Sequence, residues 1–179
     1  EDHVIVQMNK DNPAQEEPYK LNIKTGAIEK LYTVKEGDNP VAGYDFDKDG
    51  NLRAISKIIN GVDMELFYNV DGEFKKIMEV PFGESFGIIR FDYASDNPDA
   101  AYVISNLETD KIEIQRYDLK ANKVLETMYR DDTYDVSGIT LSRKRNYEID
   151  YYSHNGEKAV IVPVSETYKK VQARLQKDF

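Results

Sequence analysis

Residues 41–80 decide the fold, and they read VAGYDFDKDG NLRAISKIIN GVDMELFYNV DGEFKKIMEV. Four short apolar stretches alternate in this segment with polar turns that are rich in Asp, Asn and Gly. The second stretch, Leu52–Ile59, alternates between two faces. One face carries Leu52, Ala54 and Ser56, and the other carries Arg53, Ile55 and Lys57. Asn60-Gly61 is a strong hairpin signal because both residues tolerate a positive φ angle. Residues 41–80 therefore predict four antiparallel strands joined by tight turns.

The same plan of strands and turns recurs along the chain. Phe46 and Phe91 are 45 residues apart, and Gly26 and Gly72 are 46 residues apart. The interval lengthens to 50 residues between Gly72 and Asn122. The copies occupy approximately residues 1–35, 41–80, 85–130 and 136–164, and the first copy is partial. Such self-similarity predicts a repeat architecture.

A four-stranded repeat of about 40–50 residues is typical of β-propeller blades. One four-stranded sheet cannot cover both of its faces, whereas blades stacked around an axis cover each other. We therefore expect an all-β protein, a partial β-propeller domain over residues 1–179 with about three and a half four-stranded antiparallel blades. Since a propeller needs about four blades or more to close, we expect further chain or another copy to cover the open faces.

The hydrophobic period changes after residue 164. Four side chains then follow the spacing of one helix face, namely Tyr168, Val171, Leu175 and Phe179. This spacing predicts a short C-terminal helix over residues 165–178. Ser165 or Thr167 is placed to cap its first turn. We interpret this helix as a packing insert rather than a partner-binding device.

The charge of the chain argues against a nucleic-acid partner. Its formal net charge is −9 and its pI is about 4.8, whereas phosphate binding needs clustered Lys and Arg. The one dense basic cluster, Arg143-Lys144-Arg145, falls in a predicted turn, and we interpret it as a solvated loop.

Composition excludes further classes of site. The chain has no cysteine, which excludes disulfides and thiolate chemistry. No run of about 18 apolar residues is present, so we expect no membrane span. The two histidines, His3 and His154, lie 151 positions apart, and we interpret each as an ordinary sheet or turn residue rather than a zinc ligand. We predict no cofactor.

Gly83-Glu84-Ser85-Phe86-Gly87 matches the Gly-x-Ser-x-Gly pattern of a serine hydrolase. Asp residues follow Ser85 and His154 comes later, which is the chain order of one kind of catalytic triad. The serine of such a nucleophile elbow needs a parallel strand before it and a helix after it. Here Ile88–Phe91 is β-like, and no βαβ alternation is present. We therefore interpret the motif as an inter-blade loop and assign no catalytic residue.

Residues 45–50 imitate the start of a calcium-binding loop. Carboxylates stand at its first, third and fifth positions, which are Asp45, Asp47 and Asp49, and a glycine, Gly50, stands at the sixth. The twelfth position, where a bidentate Glu is expected, is Ser56. A hairpin turn is therefore favoured, and calcium binding by these three carboxylates stays open. We predict no metal site.

Several motifs occur in an order that resembles a known family. They are Tyr19–Gly26 (YKLNIKTG), Phe46–Ala54 (FDKDGNLRA), Ser105–Asp110 (SNLETD), Arg116–Leu119 (RYDL) and Tyr134–Gly138 (YDVSG), followed by the C-terminal helix. In order and spacing the chain resembles the N-terminal propeller of bacterial prolyl oligopeptidase-family serine peptidases, in the acylaminoacyl-peptidase and dipeptidyl-aminopeptidase-like branch. The resemblance covers most of the chain.

This resemblance implies a two-domain enzyme in which the propeller caps an α/β-hydrolase domain and restricts the access of peptides to a Ser-Asp-His triad. In that family the triad belongs to the C-terminal domain, so no catalytic residue is carried over to this chain. The resemblance implies a non-catalytic segment that packs on the hydrolase domain and gates its peptide substrate. It also favours a periplasmic or secreted location.

Two other hypotheses stay open. One is a free-standing propeller-like module that binds protein or glycan, and the less favoured one is a small hydrolase built on Ser85. Because a predicted strand begins at His3, we expect the chain to be a piece of a longer or processed protein whose reading frame continues past Phe179. Uncovered apolar blade faces also predict self-association.

Overall fold

The computed structural model describes residues 2–178, and they form an all-β protein with one short helix. The strands are β1 (His3–Met8), β2 (Glu17–Asn22), β3 (Ile28–Lys30), β4 (Val41–Phe46), β5 (Leu52–Ile59), β6 (Asp63–Val70), β7 (Glu73–Val80), β8 (Phe86–Phe91), β9 (Ala100–Ser105), β10 (Glu113–Asp118), β11 (Lys123–Tyr129), β12 (Val136–Ser142), β13 (Glu148–Asn155) and β14 (Ala159–Pro163). Helix α1 is Glu166–Asp178, and a 3₁₀ turn at Arg143–Arg145 joins β12 to β13.

The strands form four antiparallel sheets in which sequence neighbours pair with each other. The sheet orders are β1-β2-β3, β4-β5-β6-β7, β8-β9-β10-β11 and β12-β13-β14. These sheets occupy the four predicted repeats, and the two central sheets have the predicted four strands. The first and last sheets have three strands each in the described part of the chain. The predicted fold class is therefore confirmed.

The chain divides into two compact units, residues 1–82 and residues 83–179. The first unit contains the sheets β1–β3 and β4–β7. The second unit contains the sheets β8–β11 and β12–β14 together with helix α1. Each unit therefore joins two consecutive repeats.

In the first unit, both faces of strand β5 are covered. Ala54 and Ile55 point to opposite faces, and neither is exposed to solvent. Tight hairpins hold the strand in place, since Asn60 has φ 51° and Gly61 has φ 77°. The predicted Asn60-Gly61 hairpin is therefore confirmed.

In the second unit, a hydrophobic cluster joins the third and fourth sheets. Ile114 of β10, Val136 of β12 and Tyr152 of β13 are its buried members, with exposed fractions of 0%, 1% and 6%. The rings of Tyr129 and Tyr152 stack with their centroids 4.9 Å apart and an interplanar angle of 6°. These two sheets therefore share one core.

Helix α1 begins where the hydrophobic period predicted it. Ser165 is its cap, because the Tyr168 backbone N–H donates to Ser165 Oγ at 3.0 Å. Phe179, the last member of the predicted helix face, lies outside the described residues. Between residues 2 and 178, no helix has the length and apolar character that a membrane span needs.

Candidate functional site

The loop that contains Ser85 lies between β7 and β8. The Ser85 backbone N–H donates to Asn106 Oδ1 at 2.7 Å, and the Asn106 N–H donates back to the Ser85 carbonyl at 3.1 Å. Strand β8 begins at the next residue and pairs with β9 in an antiparallel sense. The motif thus lies in a loop that connects two antiparallel sheets, and a strand follows it. In the nucleophile elbow of a hydrolase, a helix follows the serine instead.

His154 lies in a stack of aromatic rings in the second unit. This residue is 6% exposed, and its Nδ1 lies 3.0 Å from the Tyr129 hydroxyl. The Tyr134 ring stacks on it with centroids 5.9 Å apart, and Asp131 Oδ2 lies 3.6 Å from its Nε2. His3 of the first unit instead faces Asn22, whose Nδ2 is 3.2 Å from its Nε2. Each histidine thus has partners in its own sheet region.

The turn at residues 47–51 is organised by the Asp47 carboxylate. Its Oδ1 accepts the backbone N–H groups of Asp49 and Asn51, each at 3.0 Å. The Asn51 side-chain amide reaches both oxygens, and an Arg53 nitrogen lies 3.5 Å from Oδ2. Burial opposes ionisation, but these hydrogen bonds leave the pKa of Asp47 below its usual value. The carboxylate that a calcium site would need is therefore already engaged by protein donors.

The basic cluster Arg143–Arg145 forms the 3₁₀ turn between β12 and β13, so it lies in a turn as predicted. Arg145 pairs with Glu148 at 2.6 Å and also forms a close ion pair with Asp150. Over the described range 2–178, no three His, Asp or Glu side chains converge as a metal site would require. Each of these motifs is thus held by local hydrogen bonds or ion pairs.

A pocket that the sequence did not reveal lies in the first unit. We call it the Tyr32 pocket, and its lining consists of Tyr32, Lys35, Asp38, Ile55, Lys57, Phe67 and Phe74. Its volume is about 240 Å³. Its walls come from strands β5, β6 and β7 and from the segment between β3 and β4.

A buried carboxylate holds that segment in place. Glu17 is 2% exposed, and its Oε2 accepts from the Lys30 ammonium at 2.6 Å. Its Oε1 accepts from the Val34 backbone N–H at 2.8 Å. Tyr32 lies between these two anchors in the chain, so Glu17 fixes the wall of the Tyr32 pocket. The ring of Tyr32 meets that of Phe74 edge to face, with centroids 5.8 Å apart.

Cationic and aromatic groups meet inside the pocket. The Lys57 ammonium lies 5.2 Å from the Phe67 ring centroid and 3.4 Å from Asp38 Oδ2. Alternation along β5 predicted that Lys57 and Ile55 share a face, but the aromatic residues of the pocket lie 10 to 25 residues from Lys57 in the chain. Only the fold brings them together.

A second surface feature lies at the end of the second unit. We call it the C-terminal apolar face, and it consists of Ile161, Val164, Val171 and Leu175, which are 39%, 37%, 45% and 51% exposed. The Gln172 side-chain amide donates to the Ile161 carbonyl at 3.4 Å, which places helix α1 beside strand β14.

The comparisons with known proteins bear on the fold. No protein-family model and no curated protein matches the sequence. Among solved structures, the chain is similar to TolB from Acinetobacter baumannii, with a TM-score of 0.56 and 16% identity over 92% of this chain. The match covers 41% of the TolB chain, so this protein spans less than half of that length. A likeness at this identity shows the fold, and the chain therefore has a β-propeller-like fold.

Proposed function

We propose that the chain is a non-catalytic propeller segment that packs against a partner domain through its C-terminal apolar face. The resemblance of its motifs to the prolyl oligopeptidase family supports an α/β-hydrolase domain of a serine peptidase as that partner. In this role the segment restricts the access of peptides to the hydrolase domain and performs no bond cleavage itself.

The exposed apolar stripe of helix α1 carries this proposal, which gives the helix a partner-binding role in place of the packing role interpreted from the sequence. A surface helix normally turns its apolar stripe toward the core. Here Val171 and Leu175, one turn apart, keep about half of their surface in water. A partner that covered these side chains would gain about 25 cal/mol of favourable free energy for each Å² of apolar surface removed from water. Large exposed apolar patches are typical of interaction sites.

Strand β14 adds a second argument for a polypeptide partner. It is an edge strand of a three-stranded sheet, and Val160 and Ile161 on it are 37% and 39% exposed. In the second and third sheets a fourth strand follows the third, whereas here helix α1 follows β14. Helix α1 contacts this strand through the Gln172–Ile161 hydrogen bond. An edge strand whose apolar side chains stay exposed accepts a further covering element.

The encoding gene tests the peptidase part of the proposal. We expect the reading frame to continue past the codon for Phe179 into further blades and then into a Gly-x-Ser-x-Gly motif between a strand and a helix. A frame that leads instead into a domain without hydrolase features would contradict it.

A binding experiment tests the surface itself. The hydrolase domain encoded downstream is titrated with the chain in a calorimeter, using the wild type and the double variant Val171→Asp, Leu175→Asp. We expect the double variant to bind at least about tenfold more weakly, a loss of about 1.4 kcal/mol, because two charges enter the apolar contact. The matched control, Ala173→Asp with Gln176→Asp, places the same charges on the opposite helix face and should bind as the wild type does. Equal binding by all three proteins would refute the proposed surface.

The Tyr32 pocket favours a second candidate function, a free-standing module that binds protein or glycan. This candidate predicts a stop codon soon after that of Phe179. It also predicts a chain that self-associates through its apolar surfaces, which sedimentation equilibrium measures over a range of concentrations.

A further inference from the structure

We propose that the Tyr32 pocket binds a carboxylate joined to an apolar body about the size of one amino-acid side chain. A polypeptide C-terminus with an apolar last residue and a small free aromatic acid share this chemistry. The site lies in the first unit, and the C-terminal apolar face lies in the second. The inference therefore goes beyond the packing role and stands or falls separately from it.

The size and the walls of the pocket select the apolar body. Ligand pockets for drug-sized molecules measure about 300–1,000 Å³, whereas this one measures about 240 Å³. It therefore fits a single side chain rather than a larger ligand. Three aromatic rings line it, those of Tyr32, Phe67 and Phe74. Ile55 backs this lining but is fully buried, so the aromatic rings supply the accessible apolar walls. An aromatic or branched aliphatic group gains the most from such walls.

The charges of the pocket select a single negative charge. Its lining holds two ammonium groups, those of Lys35 and Lys57, and one carboxylate, that of Asp38. One positive charge is left over in a chain whose net charge is −9. The side chain of Lys57 is only 15% exposed, so its attraction for an anion is less screened by water than that of a surface lysine.

The partners of the two lysines leave room for a carboxylate. Lys57 meets Asp38 at 3.4 Å, a long ion pair that leaves two of the three ammonium protons available. The ammonium of Lys35 forms no ion pair with any of residues 2–178, because Lys35 contacts Asp38 through backbone groups alone: its N–H donates to the Asp38 carboxylate and its carbonyl accepts the Asp38 N–H. A cation would be repelled by both ammonium groups. A dianion such as phosphate would place a second negative charge near the Asp38 carboxylate, and the pocket lining holds no third cation to balance that charge.

Matched probes that differ only at the carboxylate test this inference. N-acetyl-phenylalanine is compared with N-acetyl-phenylalanine amide by two-dimensional ¹⁵N-¹H NMR titration of the full chain. We expect the acid to bind with a dissociation constant in about the millimolar range and the amide to bind at least about tenfold more weakly. Shifts should concentrate on the amides of residues 32–38, 55–57 and 67–74. Equal binding of acid and amide, or no shifts at about 10 mM acid, would overturn the proposal.

Variants locate the site and guard against indirect effects. Lys35→Met removes an exposed ammonium without touching the core, and it should weaken binding of the acid several-fold while leaving binding of the amide unchanged. Lys57→Met should have a larger effect, and its melting temperature shows whether the fold is intact. Lys120→Met, an exposed lysine of the second unit, is the control and should bind as the wild type does. If neither pocket variant changes the binding of the acid, the assignment to this pocket is refuted.

Two further probes separate the sources of the carboxylate. One is 3-phenylpropionate, a free acid without an amide group, and the other is a pentapeptide that ends in Phe with a free carboxylate. Tighter binding of the pentapeptide supports a polypeptide C-terminus as the occupant. Equal or tighter binding of 3-phenylpropionate supports a small aromatic acid, and failure of both probes overturns the proposal.

Discussion

Replacing Ile114 by alanine tests whether the third and fourth sheets share one core. Ile114 is fully buried on β10, and it contacts a cluster whose other buried members, Val136 and Tyr152, belong to the fourth sheet. The substitution removes three carbon atoms from this contact. If the two sheets stack as blades do, those atoms are lost from the contact between them rather than from a solvent-facing surface.

The expected cost follows from the burial. At about 0.8 kcal/mol per buried methylene, the transfer contribution is about 2.4 kcal/mol. The cavity left behind adds to this value, and measured Ile→Ala costs at buried sites are about 2–5 kcal/mol. We therefore expect the free energy of unfolding of the second unit to fall by about 3 kcal/mol. This is a large part of the about 5–15 kcal/mol that stabilises a typical domain.

Urea unfolding at 25 °C measures this loss. The chain has no tryptophan, so the transition is followed by tyrosine fluorescence and by far-ultraviolet circular dichroism. The matched control is Ile161→Ala on β14, a residue that is 39% exposed, where the same count of carbon atoms gives a smaller expected loss of about 1.5 kcal/mol. A cost of less than about 1 kcal/mol for Ile114→Ala, at an unchanged m-value, would refute the shared core.

Three further predictions concern the local sites. Burial raises the pKa of Asp45 to about 6, so the stabilisation that its protonated form provides is full below about pH 3.8 and is lost as the pH rises through about 6. Asp45→Asn should therefore raise the urea midpoint at pH 7, and the stability of this variant should change less between pH 4 and 6 than that of the wild type. An unchanged midpoint at pH 7 would contradict the burial of this carboxyl group. Ser165→Ala removes the acceptor for the Tyr168 N–H and should cost about 1 kcal/mol in urea unfolding, with Ser165→Thr as the conservative control and an unaltered midpoint as the contrary result. Millimolar calcium or a chelator should leave the melting temperature unchanged, because Asp47 already accepts from Asn51, whereas a rise with calcium would indicate binding to the folded state.

The strands and turns could be predicted from residues 41–80 and their repeats because their signals are local. A hairpin at Asn60-Gly61 needs two residues that tolerate a positive φ angle, and both are adjacent in the chain. The capped start of helix α1 likewise depends on Ser165 and a period that changes within a few residues. The candidate site was not predictable in this way. Lys57 and Asp38 are 19 residues apart, and Phe67 reaches Lys57 across a strand pair.

What the amino-acid order alone established is the all-β architecture, the four repeats and the terminal helix, since these rest on periodicity and on turn residues that act over short distances. The tertiary structure decided which polar groups are buried and what they bind. Glu17 was one of many acidic residues in the sequence, and it became an anchor because the fold brings Lys30 and the Val34 amide to its two oxygens. Contacts between distant segments depend on how sheets stack, and no pattern within one segment encodes that stacking.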